Sequence, residues 1–114
     1  MLEARIITLD ELTARQAEGR VAEFWNVLTD DYYTGELIPL SRRVPLDRVG
    51  REASNLPKDT DVVVYCSGTD CPQSKAAGEK LAALGFTNAR VFEGGLEAWK
   101  EAGRPVREDG QAAA

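Results

Sequence analysis

The chain has 114 residues, 43% hydrophobic and 29% charged, enough for one domain with a substantial core and too few for two ordinary ones. Fourteen Lys and Arg against nineteen Asp and Glu leave a net charge of -5 with no clustered basic stripe, which argues against nucleic acid or anionic membrane as partner. The absence of histidine excludes Cys-His and Ser-His-Asp hydrolases, and two cysteines alone supply too few ligands for the usual zinc sets.

Met1-Leu2-Glu3-Ala4-Arg5 lacks the basic start and apolar stretch of a secretion signal. No apolar run approaches the roughly 18 residues of a membrane span, so a cytoplasmic protein with free thiols is expected. Ile6 and Ile7 suggest a short first strand. Thr8 and Glu11 follow at capping-box spacing, opening a helix that ends near Gly19. Val21 to Leu28 reads as a second strand, stopped by Thr29-Asp30-Asp31. Tyr32 to Pro45 carries Gly35, Pro39 and Pro45 and reads mostly as loop, with a short strand around Arg43 and Val44.

Leu46 to Ala53 suggests a short helix and Asn55 to Thr60 a loop. Asp61 to Tyr65 is the clearest strand, because Val62-Val63-Val64 shows no polar alternation and suits a central parallel strand covered on both faces. A helix from Pro72 places Ala77, Leu81 and Leu84 on one buried stripe and closes at Gly85, a residue suited to a left-handed cap. Ala89 to Phe92 reads as a strand, Gly94-Gly95 as a turn, and Leu96 to Ala102 as a helix burying Leu96 and Trp99. Strands alternating with helices predict an α/β fold with a mostly parallel sheet over 1–106, followed by a frayed polar tail over 107–114.

The most pointed chemistry lies in Val62-Val-Val-Tyr-Cys66-Ser-Gly-Thr-Asp-Cys71-Pro72. A thiol at the carboxyl end of a buried strand, before a small-residue loop and a helix start, can be held as thiolate by loop amides and the helix dipole. Ser67, Gly68 and Thr69 are the small residues that allow such an anion nest.

Val-Val-Tyr-Cys66, Ser74-x-Ala-Ala, Leu81-x-x-Leu-Gly-Phe, Val91-Phe-x-Gly-Gly-Leu-x-x-Trp99 and Ala102-Gly-x-Pro-Val succeed one another in an order that resembles the rhodanese-like (sulfurtransferase) domain. Upstream, Phe24-Trp25-Asn26-Val27-Leu28 and Gly35 to Pro45 look like the family's second strand and its approach to the third. The resemblance implies a three-layer α/β/α domain in which Cys66 is the nucleophile. Cys66 would take sulfane sulfur from thiosulfate or a persulfide, hold it as a covalent persulfide, and yield it to cyanide or a thiol, protein thiols included. No metal or organic cofactor is implied. Ser67, Gly68, Thr69, Asp70, Cys71 and Ser74 would form the substrate and anion-binding loop.

The chain also departs from the common family pattern. Cys71 stands where many members carry Arg, Ser74 arrives two residues later than usual, Asn26 and Leu28 replace an Asp and an Arg, and Leu37-Ile-Pro-Leu40 replaces His-Ile-Pro-Gly. With Asp70 in the loop, thiosulfate would meet a weaker attractive field. Cys71 admits a redox reading, in which it resolves a persulfide or sulfenic acid on Cys66, and a bland one, in which Cys-Pro merely opens a helix. A non-catalytic binding module is a further alternative. Phosphatase-like relatives need an Arg to close the phosphate loop, and none lies between Cys66 and Ala89. Ser74 reads equally as a sulfur contact or a cap, while Lys75, Arg42 and Arg43 read as solvated surface charges. Trp25 and Trp99 read as core.

Overall fold

The computed structural model describes residues 5–108. Its elements run β1 (Arg5–Ile6), α1 (Leu9–Ala17), β2 (Glu23–Asn26), β3 (Glu36–Leu37), β4 (Arg42–Arg43), a 3-10 turn (Leu46–Arg48), α2 (Val49–Ala53), β5 (Val62–Tyr65), α3 (Gln73–Ala83), β6 (Ala89–Phe92), α4 (Gly95–Glu101) and β7 (Arg107–Glu108). Five strands form one parallel sheet in the order β1-β6-β5-β2-β4, with Val62 to Tyr65 facing Glu23 to Asn26 on one side and Ala89 to Phe92 on the other.

Alternate residues of a strand point to opposite faces, and β5 fills a core on each. Val62 and Val64 pack with Val49, Ala53, Ala77 and Leu81 of α2 and α3. Val63 and Tyr65 pack with Leu12 of α1 and with Leu96 and Trp99 of α4. The sheet therefore lies between two helical layers, and the apolar run that announced a doubly covered strand is one.

Helix boundaries follow local chemistry. The Glu11 amide donates to the Thr8 hydroxyl at 3.1 Å and the Thr8 amide to the Glu11 carboxylate at 3.0 Å, completing the capping box. At the end of α3, Gly85 takes a φ of +98° while the Phe86 amide bonds Leu81 oxygen and the Gly85 amide bonds Ala82 oxygen, a Schellman closure. The chain leaves the helix there, so Leu84 is 41% exposed and Phe86 fills the core in its stead; the expected third member of the stripe is corrected accordingly.

Two further expectations change. Glu36–Leu37, read as loop, forms β3, and its antiparallel partner is Arg107–Glu108, read as the start of the frayed tail. A two-residue pair of this kind is made by distant chain and leaves no periodic trace in either segment. The Trp99 indole donates to Pro105 oxygen at 2.8 Å and delivers the chain to that position. The rest of the expected tail, 109–114, lies outside the described residues. Leu40, standing where the resembling family has Gly, holds a φ of +76° and is 82% exposed.

Candidate functional site

β5 ends at Tyr65, and the chain passes through Cys66 into a turn closed by the Cys71 amide on Gly68 oxygen at 3.0 Å before α3 begins. The first turn of α4 holds this loop from behind. The Leu96 amide donates to Cys66 oxygen at 3.1 Å and the Glu97 amide to Ser67 oxygen at 2.9 Å. This approach requires glycine at 95, where φ is +56° and a Cβ would collide with the Cys66 carbonyl. Gly68 is packed under the Glu97 carboxylate, so that a Cβ there would fall 2.5 Å from the carboxyl carbon. From the other side, Gln73 exchanges two hydrogen bonds with Thr29, at 3.0 and 2.9 Å, tying the start of α3 to the segment after β2. Behind the loop, the buried Tyr65 hydroxyl accepts from the Ile38 amide at 2.9 Å and lies 2.6 Å from the Ser41 hydroxyl.

Cys66 is fully buried, in the core that contains Phe92 and Leu96. Its thiol donates to Cys71 oxygen at 3.4 Å and lies 3.3 Å from the Ser74 hydroxyl. Burial pushes this thiol above the ordinary cysteine range and Cys71 adds to the effect; the Ser74 hydroxyl and amide oppose it without reversing it. The expectation that loop amides hold Cys66 as thiolate is therefore corrected. Burial also works to raise Cys71, but the Cys66 side chain, the Gln73 and Ser67 amides and the Ser67 hydroxyl outweigh it and bring that thiol below its ordinary range. The polar contacts of the loop thus favour the anionic form of Cys71 over that of Cys66. Both thiols are free.

An open cavity of about 400 Å³ lies beside the loop. Ser67, Asp70, Cys71, Pro72 and Gln73 form one wall, Leu28 and Tyr32 another, and Glu97 a third. Of the residues expected at the site, Ser67, Asp70 and Cys71 border this space. Gly68 lies beneath Glu97, Thr69 is exposed, and Ser74 is buried against Cys66 rather than capping α3. Glu97, Gln73, Leu28 and Tyr32 were not expected as site residues. The signals that pointed to them were the Gly-Gly pair before Leu96 and the replacement of a family Arg by Leu28, whose side chain makes that wall apolar.

Arg42 and Arg43 are engaged in the scaffold. Arg42 bridges Glu23 at 3.0 Å and Glu52 at 2.7 Å, while Arg43 bridges Asp30 at 2.9 Å and stacks 3.9 Å from the Tyr33 ring centroid. Lys75 pairs with Glu93 at 3.2 Å. Trp25 and Trp99 are buried in the two cores. Among the described residues no group of three or more His, Cys, Asp or Glu is placed to hold a metal ion, and no helix is long and apolar enough to cross a membrane.

Comparison with known proteins agrees with this architecture. Residues 8–102 match the rhodanese-like domain family. A protein of Allochromatium vinosum described as a sulfurtransferase is 30% identical over 104 residues, covering 86% of this chain and 94% of its own length. The solution structure of a rhodanese-like domain from an Anabaena protein superposes with a TM-score of 0.76 at 26% identity, over 96% of this chain and 83% of that one. A thiosulfate sulfurtransferase from Pseudomonas aeruginosa shares the fold at a TM-score of 0.77 and 23% identity, over 92% of this chain and 20% of that one. With the match running from the capping box of α1 to the end of α4, the chain belongs to the rhodanese-like domain family.

Proposed function

We propose that this protein is a sulfurtransferase that accepts sulfane sulfur from a persulfide donor, holds it covalently as a persulfide of Cys66, and yields it to a thiol acceptor, protein thiols among them. The observation that carries this reading is the placement of two free cysteines on the loop after the central strand, with Cys66 Sγ 3.4 Å from the Cys71 carbonyl oxygen and an open cavity beside Cys71. Loading is a displacement at the donor's outer sulfur, in which a new protein S–S bond forms as the donor's breaks and the donor leaves as a thiolate. Unloading repeats the step with the acceptor's thiolate as nucleophile and the cysteine as leaving group. Neither step changes the total oxidation state, and neither calls for a metal or organic cofactor. The Ser74 hydroxyl, 3.3 Å from Cys66 Sγ, and the Ser74 amide would hold the charge of the Cys66 persulfide.

The cavity walls favour a persulfide over thiosulfate. Asp70 and Glu97 border it, no Lys or Arg among the described residues does, and Leu28 presents hydrocarbon. A dianion would enter against two carboxylates, whereas an alkyl persulfide carries at most one charge near its reacting sulfur. A reducing compartment such as the cytoplasm keeps both thiols competent.

Intact-mass spectrometry after incubation with a low-mass alkyl persulfide tests the reading. The protein should gain about 32 Da, the mass of one covalently held sulfur, and the doubly substituted Cys66→Ser, Cys71→Ser protein should gain nothing. Wild-type protein without any adduct overturns the proposal. A second reading, a thiol redox carrier, draws on the same contact between Cys66 and Cys71; it predicts instead a loss of about 2 Da on mild oxidation as a disulfide forms.

A further inference from the structure

Cys66 is fully buried and contributes nothing to the cavity wall, whereas Cys71 borders the cavity and is partly exposed. A donor resting in that space meets Cys71 first. We propose that Cys71 is the thiol that receives the sulfur and that it passes the sulfur inward to Cys66, a role that rests on the transfer chemistry proposed above.

The loop is built for this division of labour. Its closure by the Cys71 amide on Gly68 oxygen, at 3.0 Å, folds the second cysteine back over the first. The Cys66 thiol then donates to Cys71 oxygen at 3.4 Å. Cys71 is the partly exposed sulfur at the cavity wall, and contacts from Ser67, Gln73 and Cys66 favour its anionic form, so the accessible sulfur is the nucleophile and the buried one is the reserve.

Two displacements complete the relay. The Cys71 thiolate attacks the outer sulfur of the donor persulfide; the Cys71 S–S bond forms, the donor's S–S bond breaks, and the donor departs as a thiolate. The outer sulfur of the Cys71 persulfide keeps its proton and stays electrophilic. Cys66 sulfur then attacks the outer sulfur of that persulfide, forming its own S–S bond as the Cys71 bond breaks. The proton leaving the Cys66 thiol ends on Cys71 sulfur, so atoms and charge balance and no outside oxidant or reductant takes part. The Ser74 hydroxyl stands beside the final persulfide.

Time-resolved loading with a low-mass alkyl persulfide, quenched with iodoacetamide and read by fragmentation of the tryptic peptide 59–75, separates the two sulfurs. Cys66→Ser should still accumulate the adduct, and on Cys71, while Cys71→Ser and Cys71→Ala should load Cys66 about 10-fold more slowly or worse, the loss of an accessible activated thiol. Cys66 loading at the wild-type rate in both Cys71 variants overturns the receiving role and leaves the transfer reading intact. A wild-type protein that loads neither sulfur overturns both. Alkylation of the unsubstituted protein by iodoacetamide at neutral pH needs no variant: Cys71 should react first, and prior labelling of Cys66 contradicts the proposal.

Discussion

At the scale of single residues, the two sulfurs are told apart by what surrounds them. Burial sends Cys66 upward and the polar contacts of Cys71 send that thiol downward, so as pH rises Cys71 ionises before Cys66. For an acid with a lowered pKa, the anion is present above that lowered value and lost as pH falls through it. The alkylation rate of Cys71 should therefore reach half its maximum below the free-thiol value of about 8.5. Cys66→Ala removes the side chain whose contact favours the Cys71 anion and should move that midpoint upward; an unmoved midpoint would show that the pair does not interact. The carboxylates of the wall give a second prediction. Asp70→Asn combined with Glu97→Gln should raise thiosulfate loading about 10-fold at low salt by removing two like charges near the dianion. Loading from an uncharged alkyl persulfide should change little, and the gain with thiosulfate should shrink as salt screens the field.

At the scale of elements, the cysteine loop is held by α4 as much as by the strand that delivers it. Gly95→Ala forces a Cβ into the Cys66 carbonyl at a positive φ and should cost about 2–3 kcal/mol in urea unfolding. Gly68→Ala meets only the end of the exposed Glu97 side chain, which can rotate aside, and should cost less than about 1 kcal/mol. Equal costs would contradict the buttress. Helix α1 and strand β5 were legible in the sequence because their information is local: a capping box spans four residues, and an unbroken valine run states its own burial. The location of the cysteine loop was legible for the same reason. Its electrostatics were not. Which sulfur receives the Ser67 and Gln73 amides depends on the turn between Gly68 and Cys71, and the Glu97 wall depends on how α4 approaches across the sheet. The β3–β7 pair escaped because each strand exists only through the other, and Leu40 because side chains rarely adopt the left-handed backbone that it takes at a cost of about 1 kcal/mol.

At the scale of the whole molecule, a sheet with both faces covered brings the ends of β2 and β5, the start of α3 and the start of α4 to one edge, where Thr29 is tied to Gln73 and Cys66 to Leu96. The rhodanese-like fold supplies that convergence, and the loop that sits there carries Cys66 and Cys71 and is bordered by Glu97. The proposed sulfur transfer thus reduces to whether a sulfane sulfur becomes covalently attached between β5 and α3. The most direct measurement is the intact mass of the wild-type chain before and after exposure to an alkyl persulfide, with the doubly cysteine-free variant alongside. The account predicts an increase of about 32 Da in the wild type alone, reversed on adding an excess of acceptor thiol. An unchanged mass in the wild type, or an equal increase in the variant without cysteines, would contradict it.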